Sequence, residues 1–574
     1  MHQPQVVPHQ SLYFPYQVYP AFVPSPGIVN RSPVVIVGAG PIGLTLALEL
    51  ARYGVRSSVL AAQQQVCEGS RAIVFTRRSM EIFQQVGVSE AVAEQGLPWR
   101  FGNSYYRGQR VFRMEAAVDE HDRFAPMTNL QQQYLEQHLV AAAQAQPLIE
   151  LRWGNKVIDI EQRLDHAVLQ VDTPGDVYSL EADWVVAADG ARSGLRSMLG
   201  LKLEGASYEG RFVIADIRIK LDLPTERLAF FDPSWNPGNT VLMHREPGDI
   251  WRIDYQLPVD ETPEQALHPD SLRERINAQL AMLGVENPEW ELDWSSVYSA
   301  RALTLAHYIN ERVIFAGDAA HLLPIFGVRG ANTGFQDCHD LGWKLALHIK
   351  GLAGAGLLAS YSEERVKAAR EIIEEAGKST RFMAPPSRGY RLLRDAVLSL
   401  SLTREFVRPL YHWRTSRAHD YADSQLNAVD DDNRLFVGGP RNGAPLLNVR
   451  LAEQHYLFDE LAPAFHLLCF TDAAALDTEV VAQVQALRDQ GLAIQVIAIA
   501  MSGGHQVQHA DLTLADTDDL FSTRYGVQHA GAAYLARPDQ HVCARWLHLD
   551  GERLRHGINQ ALGHNGSNHP WFSQ

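Results

Sequence analysis

From Pro33 the chain settles into apolar runs separated by turns. Pro33-Val34-Val35-Ile36-Val37 is a short β-branched run, the pattern of a parallel strand buried on both faces. Gly38-Ala39-Gly40-Pro41-Ile42-Gly43 follows, then a helical segment over Leu44 to Tyr53 that Gly54 closes as a C-terminal glycine. Val55 to Leu60 reads as the next strand, so the stretch is one βαβ unit with its glycines at the first strand-to-helix turn. Between Gly205 and Ala300 the pattern shifts to alternation. Phe212 to Leu221 and Ile250 to Leu257 alternate, with turns such as Asn236-Pro237-Gly238 between them, which predicts a mostly antiparallel sheet inserted into the α/β body. Along Ile250–Leu257 the period of two puts Trp251, Ile253, Tyr255 and Leu257 on one face and Arg252, Asp254 and Gln256 on the other.

A strand over Arg312 to Ala316 then leads through a loop into a helix beginning near Gly330, with long helical stretches over Phe335–Ile349 and Ser360–Phe382. After the acidic run Asp430-Asp431-Asp432 a third unit opens on Gly438-Gly439-Pro440-Arg441-Asn442-Gly443. It reads as strand Leu467–Phe470, helix Thr478–Gln490 and strand Ala493–Ala500. Met1 to Arg31, rich in Pro, Gln and aromatics, reads as a flexible arm whose Tyr13, Phe14, Tyr16, Tyr19 and Phe22 could pack onto the body.

Composition narrows the function. At 574 residues the chain needs two to four packed units. A formal net charge of −16 without a basic block argues against a nucleic-acid partner, because that binding rests on Lys and Arg neutralising phosphates. No apolar run is long enough for a membrane span, and Met1–Arg31 lacks the basic start and apolar stretch of a signal peptide. Cys67, Cys338, Cys469 and Cys543 form no CxxC pair, so neither a disulfide framework nor a metal site is expected, and a cytoplasmic address fits best.

Three motifs carry chemistry. In the first, Gly38 permits a tight turn, Gly40 lets backbone approach a pyrophosphate, and Gly43 lets helix and strand pack closely. The helix N-terminus offers free N–H groups and partial positive charge to phosphates. An acid normally takes the ribose hydroxyls at the end of the second strand. Here that strand end reads Val59-Leu60-Ala61-Ala62-Gln63, leaving Gln63 as a neutral substitute. On that reading a Glu introduced at Ala61 tightens the cofactor by about 1 kcal/mol. The second motif is Val185-Val186-Ala187-Ala188-Asp189-Gly190-Ala191-Arg192-Ser193, with Arg196 beyond. The third is Val313 to Pro324, containing Gly317-Asp318 and His321, and it runs on through Gly327 to Asp337. Each alone is weak; three in this order are not.

Together they resemble the class A flavoprotein monooxygenases, the family of p-hydroxybenzoate hydroxylase and phenol hydroxylase, over Val34 to about Phe382. Arg329-Gly330-Ala331-Asn332-Thr333-Gly334, with Gln336-Asp337 and Leu341-Gly342-Trp343-Lys344-Leu345-Ala346, bring the chain nearer to the long 3-(3-hydroxyphenyl)propionate hydroxylase-like members. The resemblance implies a Rossmann-type FAD-binding domain, an inserted substrate sheet, and FAD as cofactor with NADPH or NADH as electron donor. It implies that Gly38, Gly40 and Gly43 hold the pyrophosphate with Arg71 nearby. Gln132, Gly317 and Asp318 would serve the ribityl chain, and Asp189 and Gly190 would line the cofactor and support NAD(P)H. Gly330, Ala331 and Asn332, at a helix N-terminus, would face the flavin edge that gains negative charge on reduction.

The C-terminal unit resembles the thioredoxin-like domain of those long members through Arg524-Tyr525-Gly526 and Tyr534-Leu535-Ala536-Arg537-Pro538-Asp539. With Cys469 as its only strand-end cysteine, a structural or assembly role is expected rather than redox exchange. The expected organisation is an arm over 1–31, the first part of the FAD-binding domain over 32–204 and the substrate sheet over 205–300. The second part and a helical region span 301–425, and the thioredoxin-like domain spans 433–574. The implied reaction uses O₂ and a flavin C4a-hydroperoxide to hydroxylate a phenolic or related aromatic substrate in a site closed to water. Arg252 and Tyr255 are the substrate-site candidates; His244, Tyr105 and Tyr106 have no independent support, and His321 is read as holding its loop. A larger polycyclic substrate for hydroxylation or epoxidation, a non-catalytic flavin-binding scaffold, and the oligomeric state stay open.

Overall fold

The computed structural model describes residues 1–24, 30–258, 260–411, 417–429 and 431–564. Residues 25–29 of the arm, Asp430 of the acidic run and residues 565–574 of the C-terminal unit lie outside the described residues.

The β-branched run becomes the strand Asn30–Val37, paired in parallel with Ser57–Ala61 on one side and Val177–Ala187 on the other. Val313–Phe315 extends the sheet in parallel beyond Val177–Ala187, and Ile149–Trp153 extends it beyond Ser57–Ala61. Val34, Val35 and Ile36 are fully buried, as a parallel strand covered on both faces requires. The helix Pro41–Arg52 crosses the helix Gly330–Ile349 at close range. A Cβ on Gly334 would lie 2.6 Å from Ile42 Cδ1, and one on Gly342 would lie 2.8 Å from Glu49 Cβ. The second long helix runs Ala355–Met383.

The inserted sheet has eight strands. Its core is antiparallel: Glu291–Thr304, Glu204–Arg218, Ile250–Gln256, Thr240–Glu246 and Arg227–Phe231, in that order. Trp251, Ile253, Tyr255 and Leu257 share one core cluster with Leu272, Ile276 and Leu280 of the helix Pro269–Met282, so this outer face is the apolar one. The sheet is wider than the insertion. Phe101–Tyr106 pairs in parallel with Arg227–Phe231, and Gln109–Glu115 closes the edge behind it. That hairpin is hard to see in sequence because its edge strand, QRVFRME, carries three charges and no regular alternation of apolar positions.

The C-terminal sheet runs Leu512–Ala515, Ile494–Ala500, Phe465–Thr471, Ala533–Ala536, Val542–Trp546. The first three strands are parallel and the last two form an antiparallel pair, with helices Thr478–Asp489 and Gly551–Ala561 packed against each other. Cys469 is buried on the central strand, and burial pushes its thiol up to about 12. A buried ionic cluster joins this unit to the helices Gly330–Ile349 and Ala355–Met383. Arg537 Nη1 and Nη2 lie 2.7 Å from Glu364 and 3.0 Å from Asp340, with Asp539 on the same guanidinium. Lys344 meets Asp340 at 2.8 Å and Glu364 at 2.7 Å, and both Lys344 and Arg537 are wholly buried.

The N-terminal segment, expected as a flexible arm, is irregular in conformation but laid against the body. Phe14 and Tyr19 are buried, and Tyr19 stacks on Trp153 with ring centroids 4.5 Å apart. Tyr16 donates to the Cys67 carbonyl, and the Ser11 hydroxyl donates to Asp293 of the inserted sheet at 2.8 Å. The aromatics make the difference: each ring buries area that an arm of polar residues could not.

Candidate cofactor crevice and roof

The three motifs meet because their strands are neighbours. Asn30–Val37, Val177–Ala187 and Val313–Phe315 lie side by side, and their turns emerge together at the carboxyl edge of the parallel sheet, where open α/β sheets bind ligands. The Ala188 N–H donates to the Val37 carbonyl and the Ala316 N–H to the Ala187 carbonyl, which stitches the three turns into one rim.

The glycines divide the work as expected. Gly38 has φ +117°, and a Cβ there would fall 2.3 Å from the Ala188 carbonyl oxygen. A Cβ on Gly43 would fall 1.9 Å from the Gly38 carbonyl oxygen, so helix and turn touch backbone to backbone. Gly40, by contrast, faces open space. Pro41 brings no N–H, and among the described residues no backbone partner is recorded for the N–H groups of Ala39, Gly40 and Ile42. An open glycine beside unpaired N–H groups at a helix start suits an anionic group.

Asp318 stands on the opposite side of the rim in the short turn Gly317–Ala319. Its carboxylate is accessible from the crevice, and no hydrogen bond to it is recorded among the described residues. The crowding of protein behind it raises its pKa, against the charges of His321, Arg71 and Arg196. The turn itself is held rigidly. Asp337 accepts from the Gly317 N–H at 2.9 Å, from His321 Nε2 at 2.8 Å and from Arg365 Nε at 2.7 Å. Burial works to raise the Asp337 carboxyl, but His321 and Arg365 hold it below the usual carboxylate range. His321 is thus spent on the loop, as the sequence suggested. Asp318→Ala should weaken FAD binding about five- to hundredfold, the loss of about 1–3 kcal/mol for one carboxylate acceptor, with melting temperature nearly unchanged. Flavin titration of the deflavinated variant measures it.

Asp189 and Gly190 form the middle turn, Gly190 with φ +80°. Asp189 Oδ2 accepts from the Leu195 N–H at 3.2 Å, while Oδ1 is buried without a partner. Arg196 bridges the middle and third turns, donating to the Ala191 carbonyl at 2.7 Å and the Ala319 carbonyl at 3.0 Å. Gln132 does not reach out of the rim. Its Oε1 accepts from the Ala72 N–H at 3.0 Å and its Nε2 donates to Glu136 at 2.8 Å, so it fixes the loop carrying Arg71, which is exposed.

Gly330 and Ala331 open the helix Gly330–Ile349, and no backbone partner is recorded for the N–H groups of Gly330, Ala331 and Asn332 among the described residues. Asn332 contributes backbone only. Its Oδ1 accepts from the Thr76 N–H and the Ser79 hydroxyl, and its Nδ2 donates to the Val74 and Val328 carbonyls, which staples the helix start to its neighbours. Just before it, Val328 sits at φ +56°, a costly conformation for a β-branched residue and one that concentrates at functional loops.

Of the two substrate-site candidates, neither is placed to reach into the crevice. Tyr255 lies on the outer, apolar face of the inserted sheet against Trp235. Arg252 is on the inner face but is committed: it holds Asp216 through Nε at 2.8 Å and Nη2 at 2.7 Å, and it donates to the Ser70 carbonyl. It is the staple that seats the sheet on the Arg71 loop. Tyr105 stacks on Phe230 with centroids 5.1 Å apart, and Tyr106 is buried in the inner cluster with Phe212 and Phe231. His244 is on the inner face, near Trp99.

The strand end at Ala61 also differs from expectation. Ala61 is buried within an apolar cluster that includes Leu44, Val66 and Trp153, and Gln63 points to solvent. Ala61→Glu should therefore destabilise the fold by roughly 1–3 kcal/mol, the cost of a buried unpaired polar group, instead of tightening the cofactor. A denaturant midpoint at or above the parent's would contradict this.

The residues that sequence reading left without a role are Arg365, Glu136, Asp216 and Asp254. None belongs to a motif with glycine punctuation, and each is buried among partners that only the fold brings together.

A family model described as FAD binding domain matches residues 31–376. A 3-(3-hydroxyphenyl)propionate/3-hydroxycinnamic acid hydroxylase 2 of Burkholderia vietnamiensis is 29% identical over 542 residues, covering 90% of this chain and 94% of that one. The corresponding hydroxylase of Mycolicibacterium smegmatis is 28% identical over 451 residues, 78% of each chain. Among solved structures, the flavin-dependent monooxygenase PieE with FAD and substrate has the same fold, at a TM-score of 0.77 and 23% identity over 94% of this chain and all of its own. The chain belongs to the FAD-binding domain family.

Proposed function

We propose that this protein hydroxylates a small phenolic acid, using O₂ and reducing equivalents from NADPH or NADH, in the space between the motif rim and the inner face of the inserted sheet. FAD supplies the redox chemistry and oxygen activation when bound. In this reading the unpaired N–H groups beside Gly40 receive the pyrophosphate, with Arg71 nearby. Asp318 accepts from a ribityl hydroxyl, and the helix start at Gly330 and Ala331 faces the electron-rich edge of the ring. The carrying observation is Asp318: an accessible carboxylate with no hydrogen-bond partner among the described residues, on a turn that three buried side chains hold still.

The single-ring substrate is favoured by the roof. Phe212 stacks on Tyr298 at 5.7 Å and meets Phe326 at 5.4 Å, so aromatic side chains already fill part of the inner face. The relatives at 28% and 29% identity act, by name, on hydroxyphenylpropionate and hydroxycinnamate. The C-terminal unit is read as thioredoxin-like in topology and structural in use, since its strand order suits that fold and Cys469 and Cys543 are both buried. The test is a panel of phenolic acids, simple phenols and fused aromatics. Substrate-stimulated NAD(P)H oxidation should be coupled to hydroxylated product with the phenolic acids. Coupled turnover confined to fused rings would sink the reading.

A further inference from the structure

The inner face of the inserted sheet carries more buried charge than its seating on the flavin domain uses. Arg252, Asp216 and Glu246 form the staple, Arg252 Nε lying 3.5 Å from Glu246. One strand position further on, Asp254 stands outside that staple. It is 8% exposed, and its Oδ1 is buried with no hydrogen-bond partner. Its cross-strand neighbours are Leu242 and Ile214, the latter half-buried, and it shares the face turned to the Arg71 loop with Arg252. A buried carboxylate oxygen left without a donor costs stability, and in native proteins such an atom calls for an explanation, a catalytic role among them.

We propose that Asp254 is the general base of the hydroxylation, taking the proton from the phenolic oxygen of the substrate. The inference rests on the phenolic reading above. In the step, the phenol O–H bond breaks as its proton passes to the Asp254 carboxylate, whose residual exposure is not at the buried Oδ1. The electron pair stays on the oxygen and spreads to the ring carbons ortho and para to it. The oxygen atom that the enzyme draws from O₂ adds at one of those carbons, and the hydrogen it displaces leaves as a proton. The Asp254 carboxylic acid then returns its proton to the product or to solvent.

The groups facing Asp254 suit this role. Burial raises its carboxyl to about 7, with Arg252 on its own strand and Arg227 on Arg227–Phe231 pulling down and Asp216 on Glu204–Arg218 pushing up. On Thr240–Glu246, burial and the charges of Arg227 and Arg252 push His244 far below its usual range, too weak to compete as a base. Burial and Asp216 push Glu246 far above the carboxylate range. Burial, then Asp254, raises Tyr298 on Glu291–Thr304, so it stays protonated. Asp254 is the one acceptor in this set that is poised to exchange a proton near neutrality, where general bases work best. The base form is the carboxylate, so the hydroxylation rate should rise with pH through about 7.

The test uses the FAD-loaded full chain with 3-(3-hydroxyphenyl)propionate and a ring-fluorinated analogue whose phenol ionises more readily. Asp254→Asn should keep its FAD and bind the probe, while product formation at pH 7 falls about 10²- to 10⁴-fold. The loss should shrink at least about tenfold with the fluorinated analogue, since a phenol already ionised needs no base. Without NAD(P)H, the ultraviolet difference spectrum of the bound probe at pH 8 should show phenolate in the wild type and phenol in the variant. Undiminished product from Asp254→Asn, or equal losses for both probes, overturns the proposal and leaves the phenolic reading intact. If the variant does not fold, the wild-type spectrum decides: a bound probe still protonated at pH 9 overturns it. Coupled turnover only with aromatics lacking a ring hydroxyl overturns both.

Discussion

Arg537→Ala should cost about 3–5 kcal/mol of folding stability, because it strips the cation from a buried cluster and leaves three carboxylates facing one another. Asp340, Glu364 and Asp539 all meet that guanidinium, and Lys344 would remain only on Asp340 and Glu364, with His541 beside Asp539. Burial works against the Asp539 carboxyl, but Arg537 and His541 hold it well below its usual range; without Arg537 that support is largely gone. The effect should spread. Glu364 adjoins Arg365, which holds Asp337, which holds the Gly317 N–H beneath Asp318. The variant should therefore release flavin at a lower denaturant concentration than the parent. Fluorescence of released FAD and far-ultraviolet circular dichroism, followed in one urea titration, measure both; coincident and unshifted transitions would show the cluster to be dispensable. Arg537→Lys should recover only part of the loss, since one ammonium cannot serve three carboxylates in the geometry of a planar fork.

Gly43→Ala should abolish cofactor binding more completely than any change at Asp318. The added carbon would fall 1.9 Å from the Gly38 carbonyl oxygen and 3.2 Å from Ile36 Cγ2, and the nearer contact is backbone that cannot rotate away. Relief requires the helix Pro41–Arg52 to lift from the turn. That moves the N–H groups of Gly40 and Ile42 away from where they converge. Overpacking of this kind costs typically ~1–3 kcal/mol, and a contact this short lies at the upper end. FAD affinity should fall a hundredfold or more, by about 3 kcal/mol. Gly40→Ala is the informative control, because that position opens on free space in the protein alone. It should leave the melting temperature of the apoprotein unchanged. An apoprotein of Gly43→Ala that melts with the parent and binds FAD equally would show that the helix can shift at no cost.

The parts of the fold legible in sequence were those where local chemistry and global position agree. The run Pro33–Val37, the glycines after it and the alternation over Ile250–Leu257 each carry their own structural signal, and each formed as read. The side of the inserted sheet that turns to the flavin domain was not legible. Period two separates Arg252 and Asp254 from Tyr255 but does not say which set faces inward, and that is settled by contacts over 180 residues away in sequence, such as Arg252 with the Ser70 and Arg71 carbonyls. Ala61 went the same way. Its strand end was placed correctly, but the apolar neighbours that close over it include Phe14 and Tyr19 from the arm, whose docking no local pattern specifies.

The hairpin Phe101–Glu115 gives the roof a discontinuous origin. Its first strand pairs in register from Gly102 with Arg227 to Tyr106 with Phe231, so the sheet over the crevice is woven from separate stretches of chain on either side of the second motif, with the short strand His321–Leu322 of the third motif on its far edge. A chimera that exchanged only residues 205–300 with a relative would graft a roof with a missing border: the strand Arg227–Phe231 would face a partner evolved for another sequence. On the proposed reading, in which this sheet roofs the substrate, substrate preference is not carried by a portable cassette. It is inherited by these stretches jointly, and recombination that splits them would be expected to leave hybrids with a frayed sheet edge over the crevice.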